Sequence, residues 1–280
     1  MFWDIGSRTL DLSGRPFIMG ILNVTPDSFS DGSRFLDAGK AVDRALEMEE
    51  EGADILDIGG ESTRPYSTPV EEREELRRVL PVVEKLAGKL RIPISIDTYK
   101  SSVAREALMS GAEIINDISG FTFDNRMAEV AASMKAGVVL THTSGRPAEM
   151  QNFTRYSSVV EEIISALEVL ISTALSHGIN PCGIVVDPGI GFGKNIHGNL
   201  EILRRLREFA VLGRPILVGA SRKSFIGEIL DRPVEDRIFG TAAAVAMALA
   251  NGASILRVHD VKEMRDVADM TMAILRAASE

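Results

Sequence analysis

Met-Gly-Ile-Leu-Asn-Val-Thr-Pro-Asp-Ser-Phe-Ser-Asp-Gly, residues 19–32, decides between two folds. An apolar run, Phe17–Val24, passes into a loop dense in Asp, Ser, Pro and Gly. In an open doubly wound sheet the first strand would feed a G-x-G-x-x-G turn that opens the first helix. No such turn follows here. Apolar runs recur at Ala53–Ile58, Pro93–Asp97, Glu113–Ile118, Gly137–His142, Ile184–Asp187, Pro215–Gly219 and Ile255–His259. Several are apolar at nearly every position, as parallel strands covered on both faces are. Segments of helical period separate them: Lys40–Glu51, Val70–Leu86, Ser101–Ser110, Asn125–Lys135, Ser157–His177, Asn199–Phe209 and Thr241–Ala250. Eight β-then-α units predict an α/β protein built as a closed (β/α)8 TIM barrel. One domain spans residues 1–280, with 1–16 a short extension before the first barrel strand.

Punctuation supports the alternation. Glu-Gly-Ala-Asp at 51–54, Ser-Gly-Ala-Glu at 110–113 and Asn-Gly-Ala-Ser at 251–254 each end a helix on glycine and lead into a strand. The length of 280 residues suits a barrel in one piece. A formal charge of −9 argues against nucleic acid or an anionic membrane as the main partner. The start Met1-Phe2-Trp3-Asp4 has no basic, apolar leader, and the longest apolar stretch, around Ala242–Ala250, is too short for a bilayer. The single cysteine, Cys182, allows no internal disulfide and fits a reducing compartment. It precedes a strand, at the end opposite the strand C-termini, and reads as structural.

A barrel of this kind works at the C-terminal ends of its strands. Those ends carry Asn23, Asp57, Asp97, Asn116, His142, Asp187, Ser221, Lys223, Arg257 and His259, from all eight units. Any one Asp, Asn or Ser suits a turn or a helix cap. Lys, Arg and His do not, and the set as a whole points to a site. The loop after the first strand reads as a lid. Gly59 and Gly60 in Asp-Ile-Gly-Gly-Glu-Ser-Thr-Arg-Pro, 57–65, allow close approach to a ligand, and Arg64 suits an anion. Val-Val-Asp-Pro-Gly-Ile-Gly-Phe-Gly-Lys, 185–194, fails the phosphate-loop pattern, because Pro188 takes its first glycine position and Asn195 follows Lys194. It reads as a pocket wall with Asp187 aimed inward and Phe192 as an apolar face. Arg222 and Lys223 in Gly-Ala-Ser-Arg-Lys-Ser-Phe-Ile-Gly, 219–227, suit an anionic ligand or a solvated turn equally. Arg257 and His259, two residues apart on a strand, share a side and suit a diphosphate.

Asp97, Asn116, Asp187 and Lys223 together ask for a flat heterocycle with paired N–H donors and a carbonyl, since buried carboxylates without partners are costly. A pterin fits, and so do guanine-like rings. The four histidines show no zinc spacing, and Asn23 could hold Mg2+ through one oxygen while a diphosphate supplies others. No Ser-His-Asp elbow appears.

These segments, in this order, resemble the dihydropteroate synthases over nearly the whole chain, from Phe17 to the helix after His259. Leu-Asn-Val-Thr-Pro-Asp-Ser-Phe-Ser-Asp-Gly, Asp-Pro-Gly-Ile-Gly-Phe-Gly-Lys and Ser-Arg-Lys-Ser-Phe carry the resemblance. It implies an enzyme of folate biosynthesis, a homodimer, that uses Mg2+ at Asn23. Asp97, Asn116, Asp187 and Lys223 would hold the pterin, with Thr141 and Phe192 against its ring. Asn23, Arg257, His259 and Thr63 would hold the diphosphate. Thr63, Arg64, Pro65, Phe29, Phe192 and Ser221 would contact p-aminobenzoate. Lys223, Asp97, Asp187 and Arg257 would carry catalysis, in which the arylamine displaces diphosphate from a cation-like pterin methylene. Two positions depart from the pattern: Thr141 stands where the family has Met, and Tyr66 where it has a small residue. A pterin-binding methyltransferase would lack the first lid and the Ser-Arg-Lys-Ser-Phe loop. A paralogue that binds pterin without turnover would keep both.

Overall fold

A computed structural model of the chain describes residues 1–25 and 34–277. The lid segment, Phe29 included, lies outside the described residues. Eight strands form one parallel sheet: β3 (Phe17–Asn23), β4 (Ile55–Gly59), β5 (Ile94–Asp97), β6 (Ile114–Asp117), β7 (Gly137–Thr141), β8 (Ile184–Asp187), β9 (Leu217–Val218) and β10 (Ile255–Val258). Neighbours pair in sequence order, and β10 pairs with β3. A parallel bridge between Val186 and Ile216 closes β8 onto β9. The Val186 amide donates to the Pro215 carbonyl at 3.0 Å at the same seam. The (β/α)8 barrel is therefore closed, as the alternation of runs predicts.

Helices α1 (Arg34–Glu50), α2 (Glu72–Leu86), α3 (Ser101–Met109), α4 (Met127–Met134), α5 (Val159–Ser176), α6 (Ile196–Arg204), α7 (Ser224–Leu230), α8 (Ile238–Ala250) and α9 (Val261–Arg276) follow the barrel strands. Their apolar faces and the outward strand residues form the large core between the two layers. The segment expected as one helix from Asn199 to Phe209 differs. Asn195 caps α6 by accepting from the Gly198 amide at 2.8 Å, so the helix starts earlier, and a 3-10 stretch, Leu206–Leu212, follows it.

The extension before the barrel has a structure that the sequence did not disclose. Strands β1 (Phe2–Asp4) and β2 (Thr9–Asp11) form an antiparallel hairpin in which Trp3 faces Leu10. Trp3, Ile5 and Leu12 pack with Met19, Ile55, Ile114, Val139, Val185, Leu217 and Ile255, one inward residue from nearly every barrel strand. The hairpin thus seals the barrel floor, and the Trp3 indole N–H donates to the Gly183 carbonyl at 3.0 Å. Cys182 lies beside this floor in a 3-10 turn and is exposed, so it has no packing role.

Candidate active site

Period-two alternation builds the site from that floor. Two residues beyond Ile55, Ile114, Val139, Val185 and Ile255 stand Asp57, Asn116, Thr141, Asp187 and Arg257. On β5, Asp97 occupies the equivalent level, with Asn116 as its register partner. An apolar layer is therefore followed, one pleat higher, by a polar one. Asp57, Asp97, Asn116, Thr141 and Asp187 are all buried in it.

Arg257 holds the layer together. Its Nε donates to Asp57 Oδ2 at 2.6 Å and its Nη2 to Asp97 Oδ2 at 2.5 Å. Asn116 Nδ2 donates to the same Asp57 oxygen at 2.9 Å. The other oxygens, Asp57 Oδ1 and Asp97 Oδ1, are buried with no hydrogen-bond partner among the described residues. An orphaned buried carboxylate oxygen is costly, and it reads as an acceptor kept for a ligand. Burial pushes the Asp97 carboxyl up to about 7, against the pull of Arg257. Burial also raises Asp187, whose Oδ1 accepts from the Gly189 amide at 2.7 Å, with Lys223 opposing the shift. Lys223 lies with its Nζ 3.9 Å from the centre of the Phe192 ring, and burial lowers its pKa to about 8. Gly191 sits at φ +81°, a conformation side chains disfavour, and a Cβ there would crowd Lys223 Cδ at 2.9 Å.

Arg257 and His259 share a side, as expected, but they bond different partners. Strand alternation does turn both toward the mouth, but the guanidinium reaches across to Asp57 and Asp97, since two buried carboxylates attract it more strongly than solvent does. His259 instead joins Ser221, with Nδ1 and Oγ 3.0 Å apart, while the His259 amide donates to the same Oγ at 3.2 Å. Its imidazole pKa falls to about 3, first by burial and then through the charges of Arg257, Arg222 and Arg64. Arg257 is paired with Asp57 and Asp97 and Arg222 with Asp260, so the seat around this neutral histidine is cationic but partly neutralised, and its chemistry suits an anion. Arg64 belongs to that seat although it is exposed in the loop after β4, and Thr63 and Pro65 stand half-buried beside it. At the end of β3, Asn23 is the register partner of Gly59. Its Oδ1 and Asp97 Oδ2 both lie within 4 Å of where a Gly59 Cβ would sit.

Some participants carried no assigned role in the sequence. Asp57 appeared only as one strand end among ten, yet it is fully buried and takes two of the layer's hydrogen bonds. Glu61 anchors the base of the loop after β4. It accepts from Tyr99 Oη at 2.6 Å, Lys100 Nζ at 2.5 Å and the Val70 amide at 3.0 Å.

Tyr66 occupies the left-handed region at φ +64° with an exposed side chain, tied by its amide to the Pro147 carbonyl at 2.9 Å. That conformation costs a side-chain-bearing residue about 1–2 kcal/mol, part of which glycine returns as unfolded-state entropy. Tyr66→Gly is expected to stabilise the protein by roughly 0.5–1 kcal/mol. A urea midpoint that stays put or falls, at unchanged slope, would contradict this.

Residues 19–259 match the family model described as "Pterin binding enzyme". A relative from Synechocystis sp. named dihydropteroate synthase is 46% identical over 97% of this chain and 94% of its own. The dihydropteroate synthase structure from Clostridium difficile with pteroic acid superposes with a TM-score of 0.90 at 47% identity, covering 96% of this chain and 100% of that one. The Xanthomonas albilineans dihydropteroate synthase with 4-aminobenzoic acid gives 0.92 at 41% identity, covering 99% of each. With its closed barrel and the polar layer at its mouth, the chain belongs to the pterin-binding enzymes and, within them, to the dihydropteroate synthases.

Proposed function

We propose that this protein condenses 6-hydroxymethyl-7,8-dihydropterin diphosphate with p-aminobenzoate, giving 7,8-dihydropteroate and diphosphate. The observation that carries the reading is the pair of orphaned oxygens, Asp57 Oδ1 and Asp97 Oδ1, in one layer with Asn116, Asp187 and Lys223. A pterin offers a row of N–H donors and a carbonyl, and these side chains offer two acceptors, an amide and a donor. Thr141 and Phe192 border the ring, with Thr141 buried beside Asp187 in the register of β7 and β8.

Substitution follows from the charges. The arylamine lone pair attacks the pterin methylene, the carbon–oxygen bond to diphosphate breaks, and the amine sheds a proton. A methylene that turns cation-like lies near Asp97 and Asp187, and the departing charge lies near Arg257, His259 and Arg64. Asp97, Asp187, Lys223 and Arg257 are the catalytic set. Phe29, Thr63, Arg64, Pro65, Phe192 and Ser221 are assigned to p-aminobenzoate, and Thr63 also borders the diphosphate. An arylamine is nucleophilic without a strong base, so the reaction asks for no base–nucleophile pair.

Mg2+ belongs to the proposal. Among the described residues no three His, Cys, Asp or Glu side chains gather as a metal site. A single amide oxygen, Asn23 Oδ1, suits a cation that keeps waters and takes phosphate oxygens. Mg2+ held there would neutralise charge on the leaving diphosphate.

Phe239 and Met247 on α8, and Met270 and Ile274 on α9, are exposed on adjacent helices. Exposed apolar side chains on two neighbouring helices fit the homodimer that the family resemblance implies, with α8 and α9 as its contact. No helix among the described residues is long and apolar enough to cross a membrane. The cytoplasm is the proposed location.

Mixing the purified protein with the pterin diphosphate, p-aminobenzoate and Mg2+ tests the assignment. Dihydropteroate and diphosphate should appear in equal amounts. Pterin binding without diphosphate release would identify a binding paralogue instead. The cationic seat has its own test. Inorganic diphosphate should raise the His259 pKa from about 3 by a unit or more, because an added anion favours the imidazolium. Nitrogen-15 NMR titration of the ring would read this, and an unmoved titration would place the anion elsewhere.

A further inference from the structure

The glycine loop after β8 ends on Lys194, a residue with no part in the reaction as written. Lys194 is 3% exposed. Its Nζ donates to the Phe192 carbonyl at 2.9 Å and to the His142 carbonyl at 3.1 Å, and it meets His142 Nδ1 at 2.9 Å. None of these partners is a carboxylate. Among the described residues its nearest counter-charge, Asp187, acts without a bond, and burial pushes the Lys194 pKa down to about 7 against that pull. An apolar side chain of similar length would fill the space without burying a charge, so the amine has to be earning its place through what it ties.

What it ties is a loop with almost no side chains. Gly189, Gly191 and Gly193 all have positive φ, at +73°, +81° and +65°. A Cβ on Gly189 would sit 2.0 Å from the His142 carbonyl oxygen, and one on Gly193 would sit 1.7 Å from Ser144 Oγ. The loop therefore lies directly on the end of β7, and polar ties hold it. Between those glycines Phe192 presents the ring that faces Lys223 Nζ at 3.9 Å. Phe192 is held on both sides of its backbone: its amide donates to the Gly189 carbonyl at 3.0 Å within the loop, and its carbonyl accepts from Lys194, the tie that joins it to His142 at the end of β7.

The His142 partner makes this tie durable. A protonated Lys194 donates to the Nδ1 lone pair. A neutral amine donates to the two carbonyls and accepts from Nδ1–H, once the imidazole changes tautomer. The loop keeps its place in either state.

We propose that Lys194, held by His142, is a positioning residue that fixes the Phe192 ring against Lys223 and so sets the wall on which the pterin lies. The inference rests on the reading of the polar layer as a pterin site. It is tested by binding of 6-hydroxymethylpterin and, separately, of inorganic diphosphate to the full chain. Lys194→Met should weaken pterin about tenfold, the worth of one charge-assisted hydrogen bond, and leave diphosphate within twofold. His142→Leu should shift pterin in the same direction, and His142→Asn, whose Oδ1 can replace Nδ1 as acceptor, should restore it. Adding Phe192→Ala to Lys194→Met should lower pterin affinity no further than Phe192→Ala alone, because both act through one ring.

Unchanged pterin affinity in Lys194→Met and His142→Leu would overturn the inference, as would equal losses for pterin and diphosphate. If Lys194→Met does not fold, the His142 pair decides. Failure of the unaltered protein to bind pterin would instead overturn the functional reading on which this one stands.

Discussion

Asp97→Asn is expected to lower kcat/KM for the pterin substrate by about 10²–10⁴-fold. Asp97 Oδ1 is buried without a partner among the described residues and Oδ2 accepts from Arg257, so the ionised carboxylate offers a ligand both lone pairs of one oxygen. A charge-assisted hydrogen bond is worth about 1.5–3 kcal/mol, and two such bonds from Asp97 to paired N–H donors give the stated range at 1.36 kcal/mol per decade. The Asn side chain would also turn an N–H₂ either toward the ligand's donors or toward the Arg257 guanidinium. The pH dependence separates charge from shape. Because burial holds the carboxyl at about 7, unaltered protein should bind pterin more tightly as pH rises through that value and level off above it. The variant should lose that rise, since its side chain does not titrate. Isothermal titration between pH 5.5 and 8.5 would show both effects. A variant that keeps the rise, or loses less than tenfold in kcat/KM, would remove Asp97 from the pterin contacts.

Much of this site was legible because a parallel barrel writes its active face at fixed places. Ile114-Ile-Asn116 and Ile184-Val-Val-Asp187 run apolar and stop on a polar residue, Ile94-Ser-Ile-Asp97 does so with one serine inside, and all three stops lie in the buried layer. The glycines of residues 189–193 mark a loop that shapes a pocket wall, while its close approach to the end of β7, where a Cβ on Gly189 would meet the His142 carbonyl, was not legible. Contacts across the barrel were not legible. Nothing in the spacing of residues 57, 97 and 257 says that one guanidinium bridges two carboxylates 160 and 200 positions away in the chain. Closure of the ring creates that contact. The same holds for Lys194, whose failed phosphate-loop match hid its bonds to β7. Helix α7 was read as loop, since seven residues give too few turns for a period to show. The N-terminal hairpin escaped for a similar reason, because three-residue strands carry one alternation at most.

That hairpin has the largest expected effect on stability. Trp3 is fully buried and is among the largest such side chains in the protein. It closes the floor layer of Met19, Ile55, Ile114, Val139, Val185, Leu217 and Ile255, and its N–H satisfies the Gly183 carbonyl. Its truncation to alanine removes aromatic surface from the core, leaves a cavity that strands on a closed barrel cannot collapse to fill, and orphans one carbonyl. Trp3→Ala is therefore expected to cost about 3–5 kcal/mol. At this chain length that corresponds to a fall in Tm of roughly 6–20 °C. The polar layer stands one pleat above the floor and its bonds run sideways around the ring, so kcat/KM per folded molecule at low temperature should stay within about twofold. Calorimetry together with active-site titration would separate the two quantities. A loss below about 1 kcal/mol would show that the barrel holds its floor without the hairpin. A large loss of kcat/KM at full folding would show that the floor sets the height of Asp57 and Arg257, and the separation of stability from site geometry would fail.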